Sequence, residues 1–226
     1  MITKYYPYIL ISALLLVAIT VFLNRQQILQ PSILGNLHTH TICSDGDNDY
    51  ETIITAALKL NFKFIAITDH QICPEVINKC LFETRIFCIP GEEVTGNRTH
   101  LLALNITKPV NPYQPMIKQV ADIHALGGLA IAAHPYLKKF QYTSAELTDS
   151  GLDAMECTTN PDELHPLPCI YTSDAHRASA LGFQFLSCPA PIKTFSDLKK
   201  AIFSRLCSRS FLSTPNTLRP TSFQIN

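Results

Sequence analysis

The sequence predicts an α/β protein built as a small, irregular (β/α) barrel, and three observations carry that prediction. Short apolar runs alternate with stretches of helical period from Ile33 to Leu206, the pattern of parallel strands joined by crossover helices. Roughly seven such units fit in the chain, enough to close a sheet on itself. Six of the eight histidines fall beside the ends of those runs, and in α/β barrels the strand ends form the rim that carries the site.

The elements follow in order. Ile33–Leu37 reads as a strand and Tyr50–Leu60 as a helix with apolar residues at helical spacing. Phe62–Thr68 (FKFIAIT) is a second strand, and Glu75–Leu81 a short helical piece. Arg85–Ile89 and His100–Ile106 are further strands. Pro112–Leu126 is a helix stopped by Gly127-Gly128, a C-terminal signal. Leu129–Ala133, Leu152–Cys157 and Ile170–Thr172 complete the strands, and Phe195–Leu206 is an amphipathic helix with Ser196 or Thr194 as its cap.

Bulk composition narrows the class. Lysine plus arginine (18) equals aspartate plus glutamate (18), so no net field attracts nucleic acid. Tryptophan is absent and only 8 glycines occur, which excludes a β-propeller or a collagen-like repeat. The eight cysteines are scattered with no CxxC pair, which argues against a zinc knuckle or a compact disulfide framework. Several lie in apolar runs, where free cysteine behaves as a small hydrophobe. They are expected to be reduced, which leans the domain towards the cytoplasmic face.

Tyr5–Leu23 (YYPYILISALLLVAITVFL) is nineteen residues without a charge. As a helix it would span about 28 Å, matching a hydrocarbon core of about 30 Å. Lys4 and Arg25 bracket it, and Tyr5, Tyr6 and Tyr8 stand where an interfacial aromatic belt would be. It is long for a signal-peptide core and lacks a small-x-small cleavage site. The expected organisation is an anchor over 1–24, a linker over 25–32, a catalytic domain over 33–213 and a tail over 214–226, the membrane being a partner through residues 5–23.

The candidate ligands appear in a fixed order. Asn36-Leu37-His38-Thr39-His40 ends the first strand, and alternation puts both imidazoles on one face. Asp45 follows in Ser44-Asp45-Gly46, then Thr68-Asp69-His70, Pro90-Gly91-Glu92-Glu93, His100-Leu101-Leu102, Ala133-His134-Pro135 and Ser173-Asp174-Ala175-His176. Alone, each has an ordinary structural explanation; an Asp in a Ser-Asp-Gly turn is turn chemistry. Together, imidazoles and carboxylates suit Zn²⁺, Mn²⁺ or Fe²⁺, and a bridging carboxylate can hold two ions about 3.5–4 Å apart. Without cations such a cluster would carry large desolvation and repulsion penalties.

These motifs, in this order, resemble those of the PHP (polymerase and histidinol phosphatase) family over Gly35–Phe211. The resemblance implies a distorted (β/α)₇ barrel holding two or three divalent metal ions. It implies a first ion on His38, His40, Glu93 and Asp174, a second on Glu93, His100 and His134, and a third on Asp45, His70 and His176. The PGxE spacing selects Glu93, and strand alternation turns Glu92 away. Asp69 is expected to support the strand end. One departure stands out: only twelve residues separate Asn160 from Ser173, with Pro161, Pro166 and Pro168 among them. That leaves little room for a crossover helix, so one barrel helix is expected to be missing.

The function this implies is metal-dependent hydrolysis of a phosphoester, with a phosphorylated small molecule as substrate. Asp174 and His176 are candidates for proton transfer, and Arg177 for clamping a phosphate with its planar fork. Arg98 and His124 read better as surface residues. Two alternatives remain: a nuclease acting on oligonucleotide ends, which basic surface beside the cleft would favour, and a non-hydrolytic metal-binding module tethered to the membrane.

Overall fold

The structure is a computed structural model and describes residues 15–17, 32–96, 98–137, 139–140, 142–157, 167–189 and 191–212. The chain divides into Met1–Ser32 and Ile33–Asn226. In the first unit Leu15, Leu16 and Val17 are helical and exposed. The rest of the expected anchor, and the tail from 214, lie outside the described residues. Among the described residues no helix is long and apolar enough to cross a membrane.

The second unit is mixed α/β. Its strands are β1 (Ser32–Asn36), β2 (Phe62–Ile67), β3 (Phe87–Thr95), β4 (His100–Leu104), β5 (Leu129–Ala132), β6 (Ala154–Glu156), β7 (Cys169–Ile170), β8 (Phe185–Pro189) and β9 (Ser208–Ser210). Its helices are α1 (Tyr50–Lys59), α2 (Pro74–Leu81), α3 (Met116–Ala125), α4 (Ser144–Asp149) and α5 (Phe195–Phe203). They form one sheet in the order β7-β6-β5-β4-β3-β2-β1-β8-β9. A parallel bridge between Thr39, beyond β1, and Ala175, beyond β7, draws the two sides of that sheet together. The result is a nearly closed, barrel-shaped sheet, joined at the rim where the candidate ligands lie.

Local chemistry explains the elements. Helix α1 starts at Asp49, whose carboxylate accepts from Thr52 N at 2.9 Å. It buries Tyr50, Ile53, Ile54 and Ala57, one face at the 3.6-residue period. Helix α3 begins at Met116, four residues later than expected. Pro115 is its N-cap, and a residue preceding proline is kept out of the helical region, so Gln114 cannot join. Gly127 has φ +82°, the left-handed conformation that ends the helix. Thr194 caps α5 through a capping box with Asp197.

Strand alternation sorts the core. Phe64, Ala66, Leu102, Leu104, Leu129, Ile131 and Ala133 fill one buried cluster with Leu198 and Ile202 of α5. Ile65 and Ile67 pack instead with Ile53, Ile54 and Ala57 of α1. Leu101, Ala103, Ala130 and Ala132 pack with Val120 and Ile123 of α3.

Four expectations change. The sheet is not wholly parallel: β3–β4, β4–β5 and β8–β9 are antiparallel. The four residues between Thr95 and His100 are too few for a parallel crossover, so β4 runs back down from the rim, with His100 opening it as expected. Strand β3 also continues past Ile89 to Thr95, because Pro90 and Gly91 sit within the ladder; a Cβ on Gly91 would stand 2.7 Å from the Ala103 carbonyl.

Short elements with little apolar period, β8, β9 and α4, are additional. The cysteines are not reduced: Cys43–Cys73, Cys80–Cys88, Cys157–Cys169 and Cys188–Cys207 are disulfides. Neighbouring elements bring each pair to Cα separations of 4.1–6.3 Å although they are 8–30 residues apart in sequence. The cytoplasmic lean rested on reduced thiols and loses its ground.

The shortened connection falls mostly on residues 158–166, outside the described ones. Its ends are fixed: β6 and β7 pair in parallel, Met155 against Cys169 and Glu156 against Ile170.

Candidate metal centre

Backbone pairing on both sides holds the His38-Thr39-His40 segment. Thr68 N donates to Thr39 O at 2.9 Å, while His40 N donates to Ala175 O at 2.9 Å and Ala175 N to His38 O at 3.2 Å. Both histidines are fully buried. The loop carrying Asp45 is organised by Asp69, whose carboxylate accepts from Thr41 N at 2.7 Å, the Thr41 hydroxyl at 2.8 Å and the Ser44 hydroxyl at 2.7 Å. Asp69 therefore supports the loop and stays out of the cluster.

The nine side chains meet at one rim. Glu93, 2% exposed, lies at the centre. Its Oε1 is 2.9 Å from His100 Nδ1 and 3.0 Å from His134 Nε2. Its Oε2 is 3.3 Å from Nε2 of both His38 and His40 and 3.2 Å from His70 Nδ1. Asp174 Oδ1 approaches His38 Nε2 at 3.2 Å and His40 Nε2 at 3.4 Å. Asp45 Oδ2 is 3.3 Å from both His70 Nε2 and His176 Nε2, and its Oδ1 is 3.5 Å from His40 Nδ1.

Three groups have ligand atoms mutually within 4.8 Å: His38, His40 and Asp174; Glu93, His100 and His134; and His40, Asp45, His70 and His176. The first group lacks the Glu93 expected in it, the second has the expected members, and the third adds His40 to Asp45, His70 and His176. Exposure grades across them: the Glu93 and His38 side chains are 2% and 0% exposed, Asp174 39% and Asp45 52%.

Electrostatics follow from this packing. Burial alone would pull His38 down, but Asp174, Glu156 and Glu93 reverse it and hold the imidazole well above its ordinary value. Burial opposes ionisation of Glu93, yet His38, His100 and His134 hold it well below the carboxylate range. Asp174 is depressed in the same way: burial raises it, and His38 and His40 outweigh the burial.

The donor set fits divalent cations. Glu156 accepts from His38 Nδ1 at 2.8 Å, which leaves Nε2 as the free lone pair. That nitrogen is 3.0 Å from His40 Nε2 and beside the carboxylates of Glu93 and Asp174, a convergence of donor atoms that a cation would suit. Buried Asp174 Oδ1 and His134 Nδ1 have no hydrogen-bond partner among the described residues, and a buried polar atom without one is costly. His134 (φ +31°) and Asp174 (φ +47°) both hold left-handed backbone, strain of the kind kept where geometry serves a site.

Other expected residues take separate roles. Glu92 points away and accepts from Val110 N at 3.0 Å, and burial pushes its carboxyl up to about 7. Arg177 is exposed and lies 3.7 Å from Asp47, outside all three groups. Arg98 pairs with Glu146 of α4, and His124, 40% exposed, with Asp153 at 2.7 Å.

The sequence reading missed three residues that shape the site. Glu156 fixes His38 and also accepts from His134 N at 2.6 Å and from the Thr172 hydroxyl; its signal was an acid closing the apolar run Leu152–Cys157. Phe140 packs its ring 4.1 Å from His100 and 4.5 Å from His134. Tyr142 donates its hydroxyl to the His100 carbonyl.

No protein-family model matches the sequence, and no curated protein matches it. Solved structures do. One is a two-domain protein from Bacteroides vulgatus containing a predicted PHP-like metal-dependent phosphoesterase, with 17% identity, TM-score 0.64, and coverage of 80% of this chain and 65% of that one. Another is PsfC from Pseudomonas syringae, with 15% identity, TM-score 0.62, and coverage of 81% and 93%. A third is the lesion-specific endonuclease PfuEndoQ from Pyrococcus furiosus, with 18% identity, TM-score 0.63, and coverage of 76% and 56%. The chain thus spans under two thirds of the length of the first and third.

Proposed function

From the PHP fold, which the motifs and the solved structures share, we propose that this chain is a metal-dependent hydrolase of phosphoesters. One observation carries the reading: Glu93 reaches five imidazoles with its two oxygens, which suits a carboxylate shared between ions. His38, His40 and Asp174 would hold one ion beside it, His100 and His134 a second, and Asp45, His70 and His176 a third. Mn²⁺, Zn²⁺ or Fe²⁺ fits these ligands. Ions bound there supply Lewis-acid chemistry, polarising phosphoryl oxygens and acidifying water.

The chain's own residues supply orientation and access. The buried floor of His38, His40 and Glu93 excludes water, and the exposed side of Asp45, His176 and Asp174 is the approach for a phosphoester. Glu156 keeps His38 in one tautomer. Asp174 and His176 stand at that approach, His176 Nδ1 lying 3.6 Å from Asp174 Oδ1; Asp174 is held ionised, so of the two it is the imidazole that could pass a proton to a leaving oxygen. Arg177, exposed beside Asp47, would assist only by swinging inward.

The membrane anchor is proposed from the apolar run Tyr5–Leu23 alone. Four disulfides favour an oxidising side for the domain.

The test is turnover of an aryl phosphomonoester, an aryl phosphodiester and a short oligonucleotide by the Mn²⁺-loaded protein, with H38A, H134A and D174A. Each variant should lose at least 100-fold in kcat. Full turnover by D174A would overturn the assignment.

A further inference from the structure

The third ligand group differs from the others in how it is built. Apart from buried His40, its ligands come from loops: Asp45 from the segment after His40, His70 from the end of β2, and His176 from the segment after β7. It is also the most exposed part of the site, with Asp45 52%, His176 37% and His70 26% exposed at the side chain. A disulfide joins two of these loops. Cys43 stands two residues before Asp45 and Cys73 three after His70, and their Cα atoms are 6.3 Å apart. Beside it Gln71 Nε2 donates to the Cys43 carbonyl at 2.6 Å. The same loop reaches the third ligand, because Asp47 N donates to His176 O at 2.6 Å and Asn48 Oδ1 accepts from Ala178 N at 2.9 Å.

We propose that the Cys43–Cys73 disulfide is a positioning strap for Asp45 and His70, and that its redox state sets the occupancy of the third metal position. The inference rests on the metal-centre reading above. Cys43 and Cys73 are each partly exposed, whereas every other pair has at least one sulfur in the buried core: Cys80 with Cys88, Cys157 and Cys188. Cys43–Cys73 is thus the pair a soluble dithiol reaches first. In the exchange the dithiol supplies two electrons and two protons; the Cys43–Cys73 bond breaks to two thiols, and the dithiol becomes its own disulfide.

Reduction does not dismantle the loop, since Asp69 still holds Thr41 and Ser44. It unties Cys43 from Cys73 and leaves the Gln71 hydrogen bond as the link between the Asp45 loop and the segment after His70. A second-layer support of this kind changes metal affinity by about 10–100-fold. In the other two groups, on His38, His40 and Asp174 and on Glu93, His100 and His134, no disulfide joins two ligand-bearing loops, and they keep their ions.

The experiment uses the full chain loaded with Mn²⁺. A dithiol titration is followed by alkylation and peptide mapping to place the reduced cysteines. Bound manganese is counted by elemental analysis after desalting, without substrate. Alkylation confined to Cys43 and Cys73 should coincide with loss of one equivalent of manganese, regained on reoxidation. C43A/C73A should show the same loss, with a 10–100-fold weaker last binding step, while C188A/C207A keeps full occupancy. Equal manganese content and affinity in the oxidised and Cys43/Cys73-alkylated protein would overturn the strap and leave the metal centre standing. An oxidised protein that binds no manganese would overturn both.

Discussion

Replacing Glu93 with glutamine tests the centre of the site with almost no change in shape. The amide keeps the side-chain volume but removes the charge and turns one oxygen into a donor. Both oxygens of Glu93 are in use, Oε1 towards His100 and His134 and Oε2 towards His38, His40 and His70. The substitution should therefore weaken two ion positions together. Metal at 100 times its dissociation constant stabilises a folded protein by about 2.7 kcal/mol. For a domain of roughly 150–250 residues that raises Tm by about 5–11 °C. A 100-fold loss of affinity brings the metal concentration level with the dissociation constant, where about 0.4 kcal/mol remains, or about 1–2 °C. Scanning calorimetry in Mn²⁺ and in chelator, for wild type and E93Q, reads the two shifts directly. An E93Q protein with the full wild-type metal shift would refute the shared-ligand role, whatever its activity.

Two further outcomes follow from residues around the centre. Glu156→Gln removes the charge beside His38 and leaves one acceptor oxygen where Glu156 uses two, Oε1 towards His38 Nδ1 and Thr172 and Oε2 towards His134 N. It should weaken manganese binding by about 10–100-fold with the circular dichroism unchanged, and titration calorimetry giving wild-type affinity would contradict the positioning role. Away from the site, Arg85 hydrogen-bonds Glu83 through its side chain and backbone and holds it down at about 2, against a partial opposing effect of burial. A depressed carboxyl adds stability above its unfolded value near 4.5, and that contribution disappears as pH falls towards about 2. Arg85 is solvent-exposed, so screening keeps that contribution small. Urea midpoints of E83Q should be flatter than wild type between those two pH values, and parallel curves would refute the linkage.

The sequence was legible where period and punctuation were strong. Tyr50–Lys59 and Phe62–Ile67 stand within a residue or two of where their apolar spacing put them, because each buries a face whose spacing is set by its own geometry. It misled where direction was at stake. Nothing in the apolar run of β4 says which way it points; only the short Gly96–Thr99 connection does, and that cue makes a hairpin that starts β4 at the rim with His100. Helix α4 has no buried residue and so no apolar period, but Thr143 and Glu146 form a capping box that a reader of Thr-Ser-Ala-Glu could have found. The cysteine pairs were invisible for another reason: partners such as Cys188 and Cys207 meet only after distant elements pack.

The convergence of the candidate ligand residues was easier to read than the fold, because chemistry constrains such residues more tightly than packing does. An apolar position accepts several residues of similar size, whereas a cation position accepts few side-chain types. His134 and Asp174 also hold left-handed backbone, at φ +31° and +47°, which packing alone would not favour for a residue with a Cβ. Both residues lie just beyond strands on the rim, and Ala175, next to Asp174, bonds through its backbone to His38 and His40. Sheet closure and ligand convergence therefore share the same few peptides. The Thr39–Ala175 bridge that joins β1 to the segment after β7 is also what sets Asp174 within 3.4 Å of both His38 and His40. A change that loosened the closure would separate those ligands before it disturbed the apolar core.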